Sequence, residues 1–182
     1  MTCRVPPIAL RLRRRALLAG PALPLSFAAM SATIVRARTG AVPADDAGRL
    51  SWTAWEQDGR GGRAVHLGLG SDPAPRFPPV VAAWPDAFAP RLRRPAGWTR
   101  AGQPVVALTM HFGAAAEAVA LFSVDPAWRP VRLGEKLADR VEWRADAAGR
   151  AVLVLLSRRD TAEARPSCFA WDAGALRAAA CP

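Results

Sequence analysis

The chain has 182 residues and a formal charge of +10, from 25 basic and 15 acidic side chains. Five of the arginines and none of the acids fall in the first 32 residues, so the remainder carries only +5. That balance removes pI as an argument for nucleic acid, which is not an expected partner, and about 150 remaining residues suit one domain with its own core.

Residues 1–32 read as an export signal. Arg11-Leu12-Arg13-Arg14-Arg15 runs into an apolar stretch over 16–30, and small residues follow. The cut is expected between about residues 28 and 32. Arg14-Arg15-Ala16-Leu17-Leu18 resembles a twin-arginine signal, and a general secretory signal fits the same residues. A spanning helix needs about 20 apolar residues. Pro21 and Pro24 interrupt this shorter run, so a cleaved signal is expected rather than an anchor, and no transmembrane helix is expected in the mature chain. The expected location is periplasmic or secreted.

Residues 33–49 are small and polar and read as a flexible leader. The pattern then turns to short strands, and 50–182 reads as one β-rich domain. Val65, Leu67 and Leu69 share a face opposite Ala64, His66 and Gly68. Val106, Leu108, Met110 and Phe112 point one way; Val105, Ala107, Thr109 and His111 point the other. Val141 and Trp143 alternate with Arg140, Glu142 and Arg144. Period 2 with β-branched and aromatic residues is the strand signal. The run 151–156 is apolar on both faces and fits a central strand, with a short helix left open. Strands are expected near 50–56, 63–69, 78–84, 104–112, 117–124, 130–133, 139–144, 150–157, 166–171 and 175–181. Residues 114–120 could begin as helix by propensity. Much of 71–103, rich in proline, reads as irregular. The fold class is mainly β, an antiparallel meander forming a small barrel, sandwich or incomplete propeller.

Cys3 leaves with the signal, while Cys168 and Cys181 remain. An even pair in an exported domain favours a disulfide, worth roughly 3 kcal/mol in the chain-entropy model. A turn at Gly174-Ala175 would set Cys168 opposite Cys181 across a hairpin.

Candidate sites are few. Glu56-Gln57-Asp58-Gly59-Arg60-Gly61-Gly62 is similar to the calcium loops of repeat proteins. Only Glu56 and Asp58 offer carboxylates, so an ordinary hairpin turn is expected, with no metal or cofactor. His66 and His111 are the only histidines; if their strands were neighbours, the imidazoles could meet. No G-x-S-x-G is present, and Ser71 and Ser157 both sit in ordinary loop contexts. The cysteine spacing is not that of a redox pair. Arg91, Arg93, Arg94 and Arg100, with Trp98 among them, form the densest basic stretch of the mature chain. Arginine beside an exposed aromatic suits an anionic polymer; the plainer reading, which is preferred, is a solvated proline-rich loop with Trp98 tucked against the sheet. Seven tryptophans are many for this length. Trp52 and Trp55 face opposite sides of one strand, which leaves room for one exposed ring.

These features lead to an exported bacterial envelope protein, expected to be a non-catalytic binding module for an envelope component, such as an anionic polymer, or a partner protein. Two alternatives stay open: a small envelope hydrolase using His66 or His111, and a structural or accessory subunit of an envelope complex.

Overall fold

A computed structural model describes residues 34–59, 61–71, 77–157 and 166–182. The expected signal segment, 1–32, lies outside them. The first sheet comprises β1 (Ile34–Arg38), β2 (Val42–Pro43), β3 (Leu50–Gly59), β4 (Gly62–Ser71) and β5 (Val80–Pro85). Its order is β1-β3-β4-β5, with β2 also on β3. The second sheet begins with β6 (Ala87–Arg93). A two-stranded insertion follows, β7 (Thr99–Arg100) and β8 (Gln103–Pro104). The second sheet then resumes with β9 (Val106–Phe112), β10 (Ala116–Val124) and β11 (Pro130–Ala138), in the order β11-β10-β9-β6. The third sheet is β12 (Arg140–Ala145), β13 (Ala151–Leu156), β14 (Ser167–Asp172) and β15 (Ala175–Ala178), paired in chain order. Every ladder is antiparallel. None of the sheets closes on itself, so the small barrel is excluded. No helix occurs among the described residues.

Alternation explains the layering. On β9, Val106, Leu108 and Met110 join Trp52, Leu67, Trp84 and Phe122 in one core. Val105 and Ala107 join Val119, Leu121, Leu153 and Leu155 in another. The second sheet is thus covered on both faces, by the first sheet on one side and the third on the other. This is why β10 reads Ala118-Val119-Ala120-Leu121-Phe122 without a polar break. Burying each large side chain contributes about 1.5–3 kcal/mol. At the centre of the first core, the Phe122 ring lies 5.6 Å from Trp52 and 6.0 Å from Trp84.

Successive sheets are joined by single residues. Asp86, at φ 62°, links β5 to β6, and Asp139 links β11 to β12. The Asp86 N–H donates to Arg63 O at 2.8 Å, and the Asp139 N–H to Leu156 O at 3.1 Å. Beyond each corner, a glutamate accepts a backbone N–H of the next sheet. Glu56 Oε2 receives Ala89 N at 2.8 Å, and Glu117 Oε2 receives Val141 N at 2.8 Å.

Several elements differ from the sequence reading. The stretch 33–49 supplies β1 and β2 rather than a loose leader, because both find ladder partners on β3. The excursion 71–103 contains β6, whose alternation is hidden by Pro90 and by a bulge between Phe88 and Arg91. Residues 116–120 open β10 directly as strand, since pairing with β9 overrides the helix propensity of alanine. The central strand expected at 151–156 is β13.

Both outer faces of the stack carry chain. Buried Pro78 lies over Gly68 on β4. At the other end, Cys168 and Cys181 form the expected disulfide, Cα–Cα 5.2 Å. The hairpin register is not the one expected. Asp172 pairs with Ala175, which puts Ala173-Gly174 at the turn. Cys168 therefore faces residue 179, whose N–H donates to Cys168 O at 2.9 Å. Cys181 lies beyond the strand. The bridge holds a tail that turns back toward β12, where Arg144 Nη1 donates to Pro182 O at 3.4 Å. Val152 and Val154 are buried on this face.

A Cβ on Gly68 would lie 2.7 Å from Pro78 Cγ and 2.9 Å from Pro79 O. Gly68→Ala is therefore expected to destabilise the protein by about 1–3 kcal/mol; an unchanged urea midpoint would show that the proline segment is not seated there. Ala173 occupies the left-handed region at φ 46°, ahead of Gly174 at 81°. Such two-residue turns favour Asn-Gly, so Ala173→Asn should stabilise by about 0.5–1 kcal/mol, read from the same denaturation curve.

Candidate functional site

The basic stretch does not form one patch. Arg91 Nη2 lies 2.7 Å from His111 Nε2 and 3.8 Å from Glu117 Oε1. Arg93 sits over the Trp143 ring at 4.9 Å, and burial pulls its guanidinium below the usual value. Arg94 donates to Asp46 at 2.6 Å. Trp98 is only 2% exposed; its indole donates to Ala151 O at 2.7 Å, and its ring stacks on Trp171 at 5.5 Å. It is a core residue rather than a platform for a ligand. Arg100 is half-buried in the β7–β8 hairpin. The alternation of β6 and the turn after it send these side chains to different neighbours.

A different arginine set is presented in common. Asp45-Asp46-Ala47-Gly48-Arg49, Asp125-Pro126-Ala127-Trp128-Arg129 and Asp146-Ala147-Ala148-Gly149-Arg150 share the pattern D-x-A-[G/W]-R. Each is a hairpin tip, one per sheet. In each, Oδ1 of the aspartate accepts the arginine N–H, at 2.8, 2.9 and 2.9 Å. Oδ2 accepts the arginine Nε, at 3.2, 3.1 and 2.9 Å. The fourth residue is left-handed, with φ of 67°, 63° and 75°. Holding the guanidinium by Nε leaves its terminal amines pointing away from the turn, and Arg49, Arg129 and Arg150 are 66%, 77% and 71% exposed.

These tips lie at one end of the stack. The meander puts first-to-second and third-to-fourth strand turns at the same end of every sheet. Contacts agree: Arg49 of the first tip lies 4.4 Å over the Trp128 ring of the second, and Arg94, just beyond β6, donates to Asp46 of the first. Ala151 N donates to Ala96 O at 3.0 Å, next to the third tip. The repeated pentapeptide was the available signal for this surface. A search for basic density alone passes over it, because each arginine stands beside an acid.

The opposite end holds a cleft of about 370 Å³ lined by His111, Ala114, Ala115, Ala116, Glu117, Asp139, Arg140, Leu156 and Ser157. His111 Nε2 is 3.4 Å from Glu117 Oε1, and its ring stacks on Phe88 at 5.6 Å. Carboxylate and guanidinium thus converge on the same imidazole nitrogen. A serine relay needs the acid on one nitrogen and the hydroxyl on the other, and that arrangement is not assembled here. His66 is remote from His111. It stands on β4 of the first sheet, stacked on Trp55 at 5.6 Å, so the two imidazoles do not meet. Burial holds His66 below the usual imidazole range. Trp52 and Trp55 do face opposite sides, yet both are buried, at 0% and 3% exposure, because His66 and Phe77 cover Trp55.

The carboxylates of the glycine-rich turn are bound by arginines. Glu56 pairs with Arg63 at 3.3 Å, and Asp58 with Arg36 and Arg63. Gly59 pairs with Gly62 across an ordinary hairpin turn. Among the described residues, no three His, Cys, Asp or Glu side chains are placed to share a metal ion.

The aspartates of the three tips have lowered carboxyl values. For Asp125 and Asp146 the backbone N–H of Arg129 and Arg150 is the chief cause. For Asp45, burial raises the value, and the bonds from Arg49 and Leu50 together outweigh it. A lowered folded value means stabilisation that is present above the ordinary carboxylate range, about pH 3.9, and lost as pH falls through the folded value. Asp125→Asn with Asp146→Asn keeps the Oδ1 acceptor and removes the charge. The double variant should lose stability less steeply than wild type below about pH 4, followed by thermal melts across that range. Parallel curves would show that the tips do not contribute.

Compared with known proteins, the chain matches no family model, no curated protein and no solved structure.

Proposed function

We propose that this chain is an exported, non-catalytic binding module that takes an anionic envelope component on the end bearing the three D-x-A-[G/W]-R tips. The single observation that carries this reading is the repeated clamp, which fixes Arg49, Arg129 and Arg150 by Nε and leaves their forks outward. A clamped guanidinium loses less freedom on binding than a free one, and its fork matches carboxylate or phosphate oxygens. The basic and apolar N-terminal segments and the Cys168–Cys181 bridge support a periplasmic or secreted location. A small hydrolase is the second reading; only the meeting of Ser157, His111 and Glu117 around one cleft favours it.

The test is binding to purified lipopolysaccharide across a salt series. Wild type should bind at low salt and weaken steeply as salt rises, since exposed charges are screened over about 8–10 Å near physiological ionic strength. Replacing Arg49, Arg129 and Arg150 together by glutamine should weaken binding roughly tenfold, about 1.4 kcal/mol across three exposed charges. Its melting point should move by only a few degrees, roughly. Equal affinity in the variant would retire this surface. No binding at low salt would retire the anionic ligand.

A further inference from the structure

At the edge of the cleft at the other end, two groups compete for one nitrogen of the lining residue His111. Arg91 of β6 contacts His111 Nε2 at 2.7 Å, and Glu117 of β10 approaches the same nitrogen at 3.4 Å. A guanidinium only donates, and a carboxylate only accepts. The two contacts therefore call for opposite states of Nε2. With Nε2 unprotonated, the imidazole accepts from Arg91, and Arg91 also faces Glu117 Oε1 at 3.8 Å. With both ring nitrogens protonated, Nε2 donates to Glu117 and the imidazolium repels Arg91. Glu117 itself is fixed, because its other oxygen is held by the Val141 N–H at 2.8 Å. His111 is fixed too, by the stacked Phe88 ring. Arg91 is the exposed partner, with 66% of its side chain accessible.

We propose that this cleft is a proton-gated site for a small oxyanion, in which His111 holds Arg91 when neutral and yields it to the anion when protonated. Arg91 from β6 and Glu117 from β10 contact the imidazole, and Asp139 and Arg140, from the corner between the second and third sheets, line the same cleft. The third sheet adds the hydroxyl of Ser157. In the neutral state Arg91 and Glu117 compensate each other. Protonation pairs Glu117 with the imidazolium and releases Arg91 from the ring, beside a cleft lined by both Asp139 and Arg140. Sulfate, phosphate monoester and carboxylate groups share the geometry that a guanidinium fork accepts. The gain is one net positive charge at the cleft for each proton taken up.

Sulfate is the probe, because its own charge does not change over the pH range that titrates an imidazole, about 5 to 8. Binding is followed by NMR, together with the ring signals of His111 and the guanidinium signals of Arg91. Sulfate affinity should rise on acidification, by up to about tenfold per pH unit, the ceiling for one linked proton. The Arg91 signals should move with the same inflection as His111. His111→Gln should bind sulfate with no pH dependence over this range, His66→Gln should keep the wild-type slope, and Arg91→Gln, at an exposed position, should bind weakly throughout. The proposal fails if His111→Gln keeps the wild-type slope, if the Arg91 signals ignore the His111 titration, or if sulfate does not bind near pH 5.

Discussion

The structure depends on how the chain changes sheet. Asp86 and Asp139 are the whole of each connection, so a strand must leave one ladder and enter the next within a residue. Such a corner exposes backbone donors in the interior, where an unpaired N–H costs about 1–3 kcal/mol. Glu56 and Glu117 meet that need by reaching between layers to Ala89 and Val141. Bonds to an ionised acceptor are shorter and stronger than neutral ones. Each carboxylate is in turn neutralised by an arginine, Arg63 or Arg91. Two side chains thereby tie neighbouring layers together beside the two cores. The cleft at the second corner is a product of the same construction.

The strands were legible where one face is wet or where an apolar run is bounded by turns. Val106 to Phe112 and Arg140 to Arg144 announce themselves by period 2, and Ala151 to Leu156 by its uninterrupted apolarity. β6 was not legible, because Ala89 at φ 50° and the bulge before Arg91 break the period. β1 was hidden for another reason: Ile34-Val35-Arg36-Ala37-Arg38 borrows its order from β3, and isolated propensity says little about such a strand. The disulfide followed from the expected export and from cysteine parity, yet its register did not, because a two-residue turn shifted by one position moves every partner.

The site was less visible than the fold. Composition draws attention to the run from Arg91 to Arg100, but folding distributes it among Glu117, Trp143, Asp46 and the core. What linear density misses is recurrence. Three tips far apart in sequence repeat one pentapeptide and one pair of carboxylate bonds. At the second of them Trp128 accepts the left-handed backbone that glycine takes in the others, and its ring packs on the first core beneath Arg49. The imidazole cleft was beyond sequence reasoning, since His111, Glu117 and Arg91 are united only by the ladder β6-β9-β10.

Every ladder in the stack joins strands that are close neighbours along the chain, the longest gap being the insertion between β6 and β9. Contacts of that kind close short loops and form early. Assembly can therefore advance from the N-terminal side one meander at a time. The middle sheet is the exception to independence: its second face stays wet until β12 to β14 arrive. The Cys168–Cys181 bridge falls at the far end of this sequence. It ties residues that meet only after the β14–β15 hairpin has turned, so its oxidation follows that hairpin rather than guiding the earlier ones.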